Sequence, residues 1–367
     1  MNFENNSQII SNNETIENVE NALLKSSFSM SNPNTIKSGE SVNESVLITN
    51  NSVSVEVVEF CPFEWASNLI AYDQGSNGKL CLAAIKATES GIVFEHIEDF
   101  IVGTRIAAIA WSPQTNLIAI PKVIKLAIAS LYDKRIKILN ASLKAQSANE
   151  SDENNIFVVN CNFGAHTSFV NDLVFEPQSG SLIASVGDDC QCCFWSAEDG
   201  SLASKIKLVS AGVSIKWHPL ESDKILIAER KGVIRLYNVE TRRPIMSFDC
   251  KGYPLMSADW CLYNPLLIGC VIGSEVAIWN TSISSKPIER RKAHVNGGQK
   301  FRFFNEFIFC SRGRPSSQIQ VCNTKTGQIL LDTTVKCGNG ISWNCKAPIL
   351  AVGTNGKIIF YTFNTLI

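Results

Sequence analysis

The sequence predicts an all-β protein in which seven sheets close into a ring, a seven-bladed β-propeller. Three observations carry that expectation. A strand ending in an aromatic recurs seven times, its recurrence has the period of one blade, and a β-rich segment ahead of the first blade can complete the last.

Taken in chain order, residues 1–44 are rich in Asn and Ser and hold six acids against Lys25 and Lys37, a net charge of −4. Such a segment buries too little apolar surface to offset its ordering entropy, so a disordered tail is expected. Within it, Ile16, Val19 and Leu23 of ETIENVENALLKS fall at helical spacing, which reads as a short helix at 14–26. A docking peptide and a passive tail both fit that stretch.

Residues 45–367 are short β-rich runs separated by turns. The first strand of each unit reads VVEFCPF (57–63), IAAIAWSP (106–113), VNDLVFEP (170–177), VSIKWHP (213–219), MSADW (256–260), QKFRFF (299–304) and GISWNC (340–345). A second apolar strand follows each (NLIAY through ILAVG), then a turn and a third (KLCLAA through KIIFYT). The closing aromatics are Phe60, Trp111, Phe175, Trp217, Trp260, Phe303 and Trp343, separated by 51, 64, 42, 43, 43 and 40 residues. That spacing brackets the roughly 40–45 residues of a WD-repeat blade. Insertions are expected to account for the two long intervals, one over roughly 86–105 and one at NASLKAQSANESDENN (140–155). Fourth strands are expected at SLASKIKLV, PIMSFDC and QILLDTTV. The seventh blade has no room for one, so SVLIT (45–49) is expected to supply it and close the ring without an open edge.

Blade three contains GDDCQCCFWS (187–196), with three cysteines in four positions. The surrounding stretch resembles the WD-repeat pattern, in which His, Ser or Thr, Asp and Trp form a hydrogen-bonded chain; here these are His166, Ser185, Asp189 and Trp195. A fully paired buried polar network specifies one packing of its blade. Cys192 and Cys193 alternate on a strand and point to opposite faces, poor geometry for one ion, and no second C-x-x-C pair completes a tetrahedral zinc site. The cluster reads as core and turn packing.

Net charge is −1 with a pI near 6.5, so no footprint for nucleic acid is seen. The first residues lack the basic and apolar regions of a secretory signal, and no apolar run approaches a membrane span. Thirteen scattered cysteines fit a reducing compartment. The four histidines His96, His166, His218 and His294 are few for a hydrolase, and His218, between Trp217 and Pro219, reads as a turn residue. No nucleophile elbow, H-E-x-x-H or phosphate loop is present. Glu59, Asp172 and Asp259 are the acidic exceptions on largely apolar first strands, too few for a catalytic site. No catalytic residue, metal, cofactor or small-molecule substrate is therefore expected. IERRKAH (288–294) and RGRP (312–315) place Arg290, Arg291, Arg312 and Arg314 near blades five and six. They read either as solvated surface or as a basic patch facing an acidic protein partner.

The order and spacing of VVEFCPF, NLIAY, IAAIAWSP, PKVIKLAIAS, GVSIKWHP, YPLMSADWC and GISWN…GKIIFYTF resemble the nucleoporin 37 family over roughly 53–363. That resemblance implies a non-catalytic scaffold of the nuclear pore's outer-ring Y-shaped complex. It also implies docking on a large nucleoporin 160-type subunit, residence at the nuclear envelope without membrane insertion, and indirect support of protein import and mRNA export. The rival readings are a WD-repeat adaptor such as a ubiquitin-ligase substrate receptor, and an enzyme using the channel. Against the first, the third-strand ends read WSAE, YNVE and WNTS rather than W-D-x-R.

Overall fold

The computed structural model describes residues 42–49, 53–75, 78–88, 91–118, 122–143, 156–164, 166–336 and 338–363. The expected helix at 14–26, the tail up to residue 41 and most of the polar loop at 144–155 lie outside them. Seven four-stranded antiparallel sheets make the ring.

The chain enters through β1 (Val42–Ile48). Blade one is β2 (Val58–Phe60), β3 (Leu69–Asp73), β4 (Lys79–Thr88) and β5 (Gly91–Ile101). Blade two is β6 (Ile106–Trp111), β7 (Lys122–Ser130), β8 (Arg135–Leu143) and β9 (Ile156–Gly164). Blade three is β10 (Val170–Phe175), β11 (Leu182–Gly187), β12 (Gln191–Ser196) and β13 (Leu202–Lys207). Blade four is β14 (Gly212–Trp217), β15 (Lys224–Glu229), β16 (Val233–Asn238) and β17 (Pro244–Asp249). Blade five is β18 (Leu255–Trp260), β19 (Leu267–Ile272), β20 (Glu275–Asn280) and β21 (Glu289–Lys292). Blade six is β22 (Gly298–Phe303), β23 (Ile308–Gly313), β24 (Gln318–Asn323) and β25 (Ile329–Thr334). Blade seven is β26 (Ile341–Trp343), β27 (Ile349–Thr354) and β28 (Lys357–Phe363), completed by β1. β1 pairs antiparallel with β28 from Val42 opposite Phe363 to Ile48 opposite Lys357.

Each repeated aromatic is the last residue of its blade's innermost strand. One seam of buried apolar side chains fills each interface between neighbouring blades. The seam between blades seven and one joins Val58, Phe60 and Tyr72 to Ala351, Ile358 and Phe360, so burial as well as hydrogen bonding closes the ring.

The first expected insertion proves to be largely strand; of the second, 140–143 are the end of β8 and 144–155 lie outside the described residues. The interval 86–105 holds β5, paired with the long β4 from Lys79 opposite Ile101 to Thr88 opposite Gly91. In the second, β8 runs on to Leu143 and β9 follows at Ile156. β5 carries polar residues on its solvated face, which hides its alternation.

Five innermost strands share one irregularity. β6, β10, β14, β18 and β22 each bulge after their first residue, and the skipped residues are Ala107, Asn171, Val213, Met256 and Gln299. A bulge re-aims one side chain, and all five line one mouth of the channel.

Candidate functional site

The innermost strands surround a channel whose waist is charged. Arg302 meets Glu59 at 3.1 Å and Lys216 meets Asp172 at 3.6 Å. Burial works against the Arg302 charge, but Glu59, Asp259 and Asp172 more than offset it and hold its pKa above the usual value. Burial pushes Asp259 above the ordinary carboxylate range despite Arg302 and Lys216.

These carboxylates and two serines pin adjacent blades together. Asp172 Oδ2 accepts from Ile215 N (3.0 Å), Ser214 Oγ from Ala258 N (3.2 Å) and Asp259 Oδ2 from Phe303 N (2.9 Å). Ser342 Oγ accepts from Phe60 N (2.9 Å) across the closure and lies 3.1 Å from Glu59 Oε2. The acidic exceptions noted in the sequence are thus committed to blade-to-blade hydrogen bonds and ion pairs.

The two ends of the channel differ. One is a polar mouth of about 510 Å³, where Arg105, Arg230, Lys300 and Arg302 face Glu56 and Glu59. The other is an apolar funnel of about 580 Å³, formed by the repeated aromatics and the loops after them. Its rim carries Phe63 stacked on Trp65 (centroids 5.1 Å apart), with Leu220 and Tyr263 exposed at 67% and 55%. A concave apolar surface of this kind suits protein docking. The signal for the rim in the sequence is the proline two residues past the aromatic, at Pro62, Pro113, Pro177 and Pro219, which ends the strand and starts the rim loop.

The structure brings His166, Ser185, Asp189 and Trp195 together. Trp195 Nε1 donates to Ser185 Oγ (2.9 Å), Ser185 Oγ lies 2.8 Å from His166 Nε2, and His166 Nδ1 lies 2.9 Å from Asp189. One proton order satisfies all three contacts: indole N–H to hydroxyl, hydroxyl to Nε2, and Nδ1–H to carboxylate. Blade six holds a partial version that the sequence reading missed. His294 Nε2 meets Ser311 Oγ at 3.0 Å, while Gln318 stands near Nδ1 (3.4 Å) and Cys322 occupies the tryptophan position. Reading His294 as part of a basic run concealed it.

The four arginines do not form one patch. Arg312 is a correction: it is 0% exposed, with NH1 3.3 Å from Gly353 O and 3.5 Å from Gly340 O. It is core between blades six and seven and cannot reach a partner. Arg290 donates to Glu275 (2.7 Å) and to Cys250 O (2.8 Å), and Arg291 lies 5.0 Å from the Phe309 ring beside Glu289. Arg314 is exposed.

Cys192 packs into the seam with blade four and Cys193 into the seam with blade two. Burial pushes both thiols up, Cys193 to about 11. His218 Nδ1 accepts from Leu220 N (3.2 Å) and Glu221 N (2.9 Å), tying down the turn after Trp217. Among the described residues no group of three His, Cys, Asp or Glu is placed to hold a metal ion, and no helix is long and apolar enough to cross a membrane.

No protein-family model matches the chain. It is similar to nucleoporin Nup37 of Mus musculus, 37% identical over 318 residues covering 84% of this chain and 93% of that protein. Nucleoporin Nup37 of Homo sapiens is 36% identical over the same shares. Nucleoporin Nup37 of Drosophila melanogaster is 28% identical over 83% of this chain and 92% of its own length.

Proposed function

This chain belongs to the nucleoporin Nup37 family, and we propose that it serves the nuclear pore complex as a non-catalytic scaffold subunit that displays docking surfaces on a rigid ring. The observation that supports a scaffold over an enzyme is the state of the channel. Glu59, Asp172 and Asp259, the acids a channel catalyst would draw on, are tied to Arg302, Lys216 and the backbone of the next blade. A general acid or base needs a proton-transfer path to substrate, and these groups hold the ring together instead.

The partner that the family resemblance implies is the large nucleoporin 160-type subunit of the outer-ring Y-shaped complex. Through it the ring would join the other outer-ring nucleoporins and support import and mRNA export indirectly. The apolar funnel, with Trp65, Leu220 and Tyr263 at its rim, is the surface we assign to such docking.

Affinity capture of the tagged endogenous protein from solubilised nuclear envelopes tests this. Stoichiometric recovery of the outer-ring nucleoporins, led by the large subunit, is the expected result. Recovery of a cullin assembly without nucleoporins would overturn it. Trp65→Ala with Leu220→Asp should cut recovery of the large subunit at least tenfold while the ring stays folded.

A further inference from the structure

The polar mouth at the opposite end of the channel carries binding capacity that the scaffold reading leaves unused. Four cations line it against two carboxylates. Most of its polar side chains are satisfied within the protein. Arg302 holds Glu59, Arg230 holds Asp188 at 2.9 Å, and Asn339 donates to Glu56 at 2.7 Å. Asn171 donates to Asp188 and to Gly212 O, each at 2.8 Å. Deeper in, Asp172 faces Lys216.

Two consecutive residues of β22 differ. Gln299, turned into the mouth by the bulge, has its Oε1 buried without a hydrogen-bond partner. Lys300, half-buried beside it, makes no hydrogen bond or ion pair among the described residues. Burial, and then Arg302, push its ammonium below the usual lysine pKa, and Asp172 and Glu59, each already paired with another cation, offset this only in part. A buried acceptor that lacks a donor and a half-buried ammonium with no anion in direct contact each cost free energy as they stand. One ligand type satisfies both: a carboxylate with an amide N–H close to it, which a single acidic residue of a peptide supplies. The rest of the mouth also favours a peptide over a bare anion. Val213 and Met256 form an apolar wall, and Tyr253, on the loop leading into β18, is 82% exposed.

We propose that the polar mouth of the channel is a binding site for an acidic peptide segment of a partner protein, with Lys300 taking a carboxylate and Gln299 the adjacent backbone N–H. The site lies at the far end of the channel from the apolar funnel and does not depend on what docks there.

The test uses the full-length protein and a labelled peptide of alternating glycine and glutamate. Its glutamine counterpart and inorganic phosphate serve as controls. Saturable binding of the acidic peptide is expected, with the glutamine peptide at least tenfold weaker. Lys300→Ala should weaken binding by roughly tenfold to a hundredfold, the scale of one charge-assisted hydrogen bond. Gln299→Ala should weaken it several-fold, and Lys300→Arg should retain most of it. Carbodiimide coupling on the unmodified protein gives a second readout that does not rely on a variant folding. The peptide carboxylate should link to Lys300, mapped by mass spectrometry. Equal binding of the two peptides, phosphate binding without peptide binding, or coupling that spares Lys300 while labelling other lysines would each overturn the proposal.

Discussion

At the scale of single residues, the free energy of this ring rests on a few buried polar groups with different tasks. Ser185 is the hub of the blade-three chain, accepting from Trp195 and bonded to His166. Ser185→Ala leaves an indole N–H and an imidazole nitrogen buried without partners. It is expected to cost about 1–3 kcal/mol, read as a lower urea midpoint, whereas Ser196→Ala at the partly exposed end of the same sheet should be near neutral. Asp73 offers a test with the opposite sense in pH. Its Oδ1 accepts from Glu56 N and Val57 N, both at 2.8 Å, while its Oδ2 is buried without a partner. Burial pushes its pKa from 3.8 up to about 6. A folded pKa above the unfolded value means the protonated form fits the site better. The stabilisation is therefore complete below about pH 4 and is lost as pH rises through about 6. Asp73→Asn keeps the Oδ1 acceptor and removes the buried charge. Its stability relative to the natural protein should rise between pH 5 and 7.5 by about 1.5 kcal/mol. His218 and His294 oppose this, since burial lowers both and their contribution is lost as pH falls below about 6.5. The comparison must therefore be made between variant and parent at each pH.

At the scale of elements, several blades fasten the loop entering the inner strand to the second strand or the turn after it, with different residues. Blade one uses Asp73, blade three uses Asp189, and blade four uses Glu229, whose Oε2 accepts from Val209 N and Ser210 N at 2.8 Å each. Only the blade-three solution matches a pattern visible in the sequence. Inner, second and third strands are legible because they are apolar, short and closed by an aromatic. Outer strands are legible only in part: β13, β17 and β25 fall at the expected stretches, but β5 carries Glu95, His96, Glu98 and Asp99, and β21 is the run ERRK, so both read as solvated segments. Arg312 shows the same limit from the other side. The register of β23 puts it where β11, β15 and β19 hold Val186, Ala228 and Val271, a core slot. Reading RGRP as a charge run ignored that alignment. Arg312→Glu would place a buried carboxylate beside the carbonyls of Gly340 and Gly353, and is expected to destabilise by more than about 4 kcal/mol or to abolish folding. Arg314→Glu, at an exposed position, should shift stability by less than about 0.5 kcal/mol. Thermal melts of the two variants separate a core arginine from a surface one.

At the scale of the whole molecule, closure depends on an element distant in sequence from the blade it completes. β1 covers the outer edge of β28 through seven residue pairs. Val42 and Val46 pack into the seam between blades six and seven, while Leu47 packs into the seam between blades seven and one. Ser342 adds a hydrogen bond across the same junction. The need for such a strand was legible from counting, because seven inner strands are present and the β-rich stretch SVLIT ahead of the first blade belongs to no other sheet. Its start at Val42 was not, because Val42, Asn43 and Glu44 share the composition of what precedes them. A chain lacking residues 1–41 keeps every one of these contacts and should melt at the temperature of the full protein. A chain lacking residues 1–49 exposes the backbone edge of β28 and uncovers apolar side chains in two seams. An unpaired, apolar edge recruits another copy. That chain should melt lower and elute in light-scattering chromatography as dimers or larger species, and a peptide spanning 42–49 added in excess should return it to monomer. If it instead stays monomeric with an unchanged melt, the seam between blades seven and one holds the ring without help. β1 would then be a covering strand rather than the one that closes it.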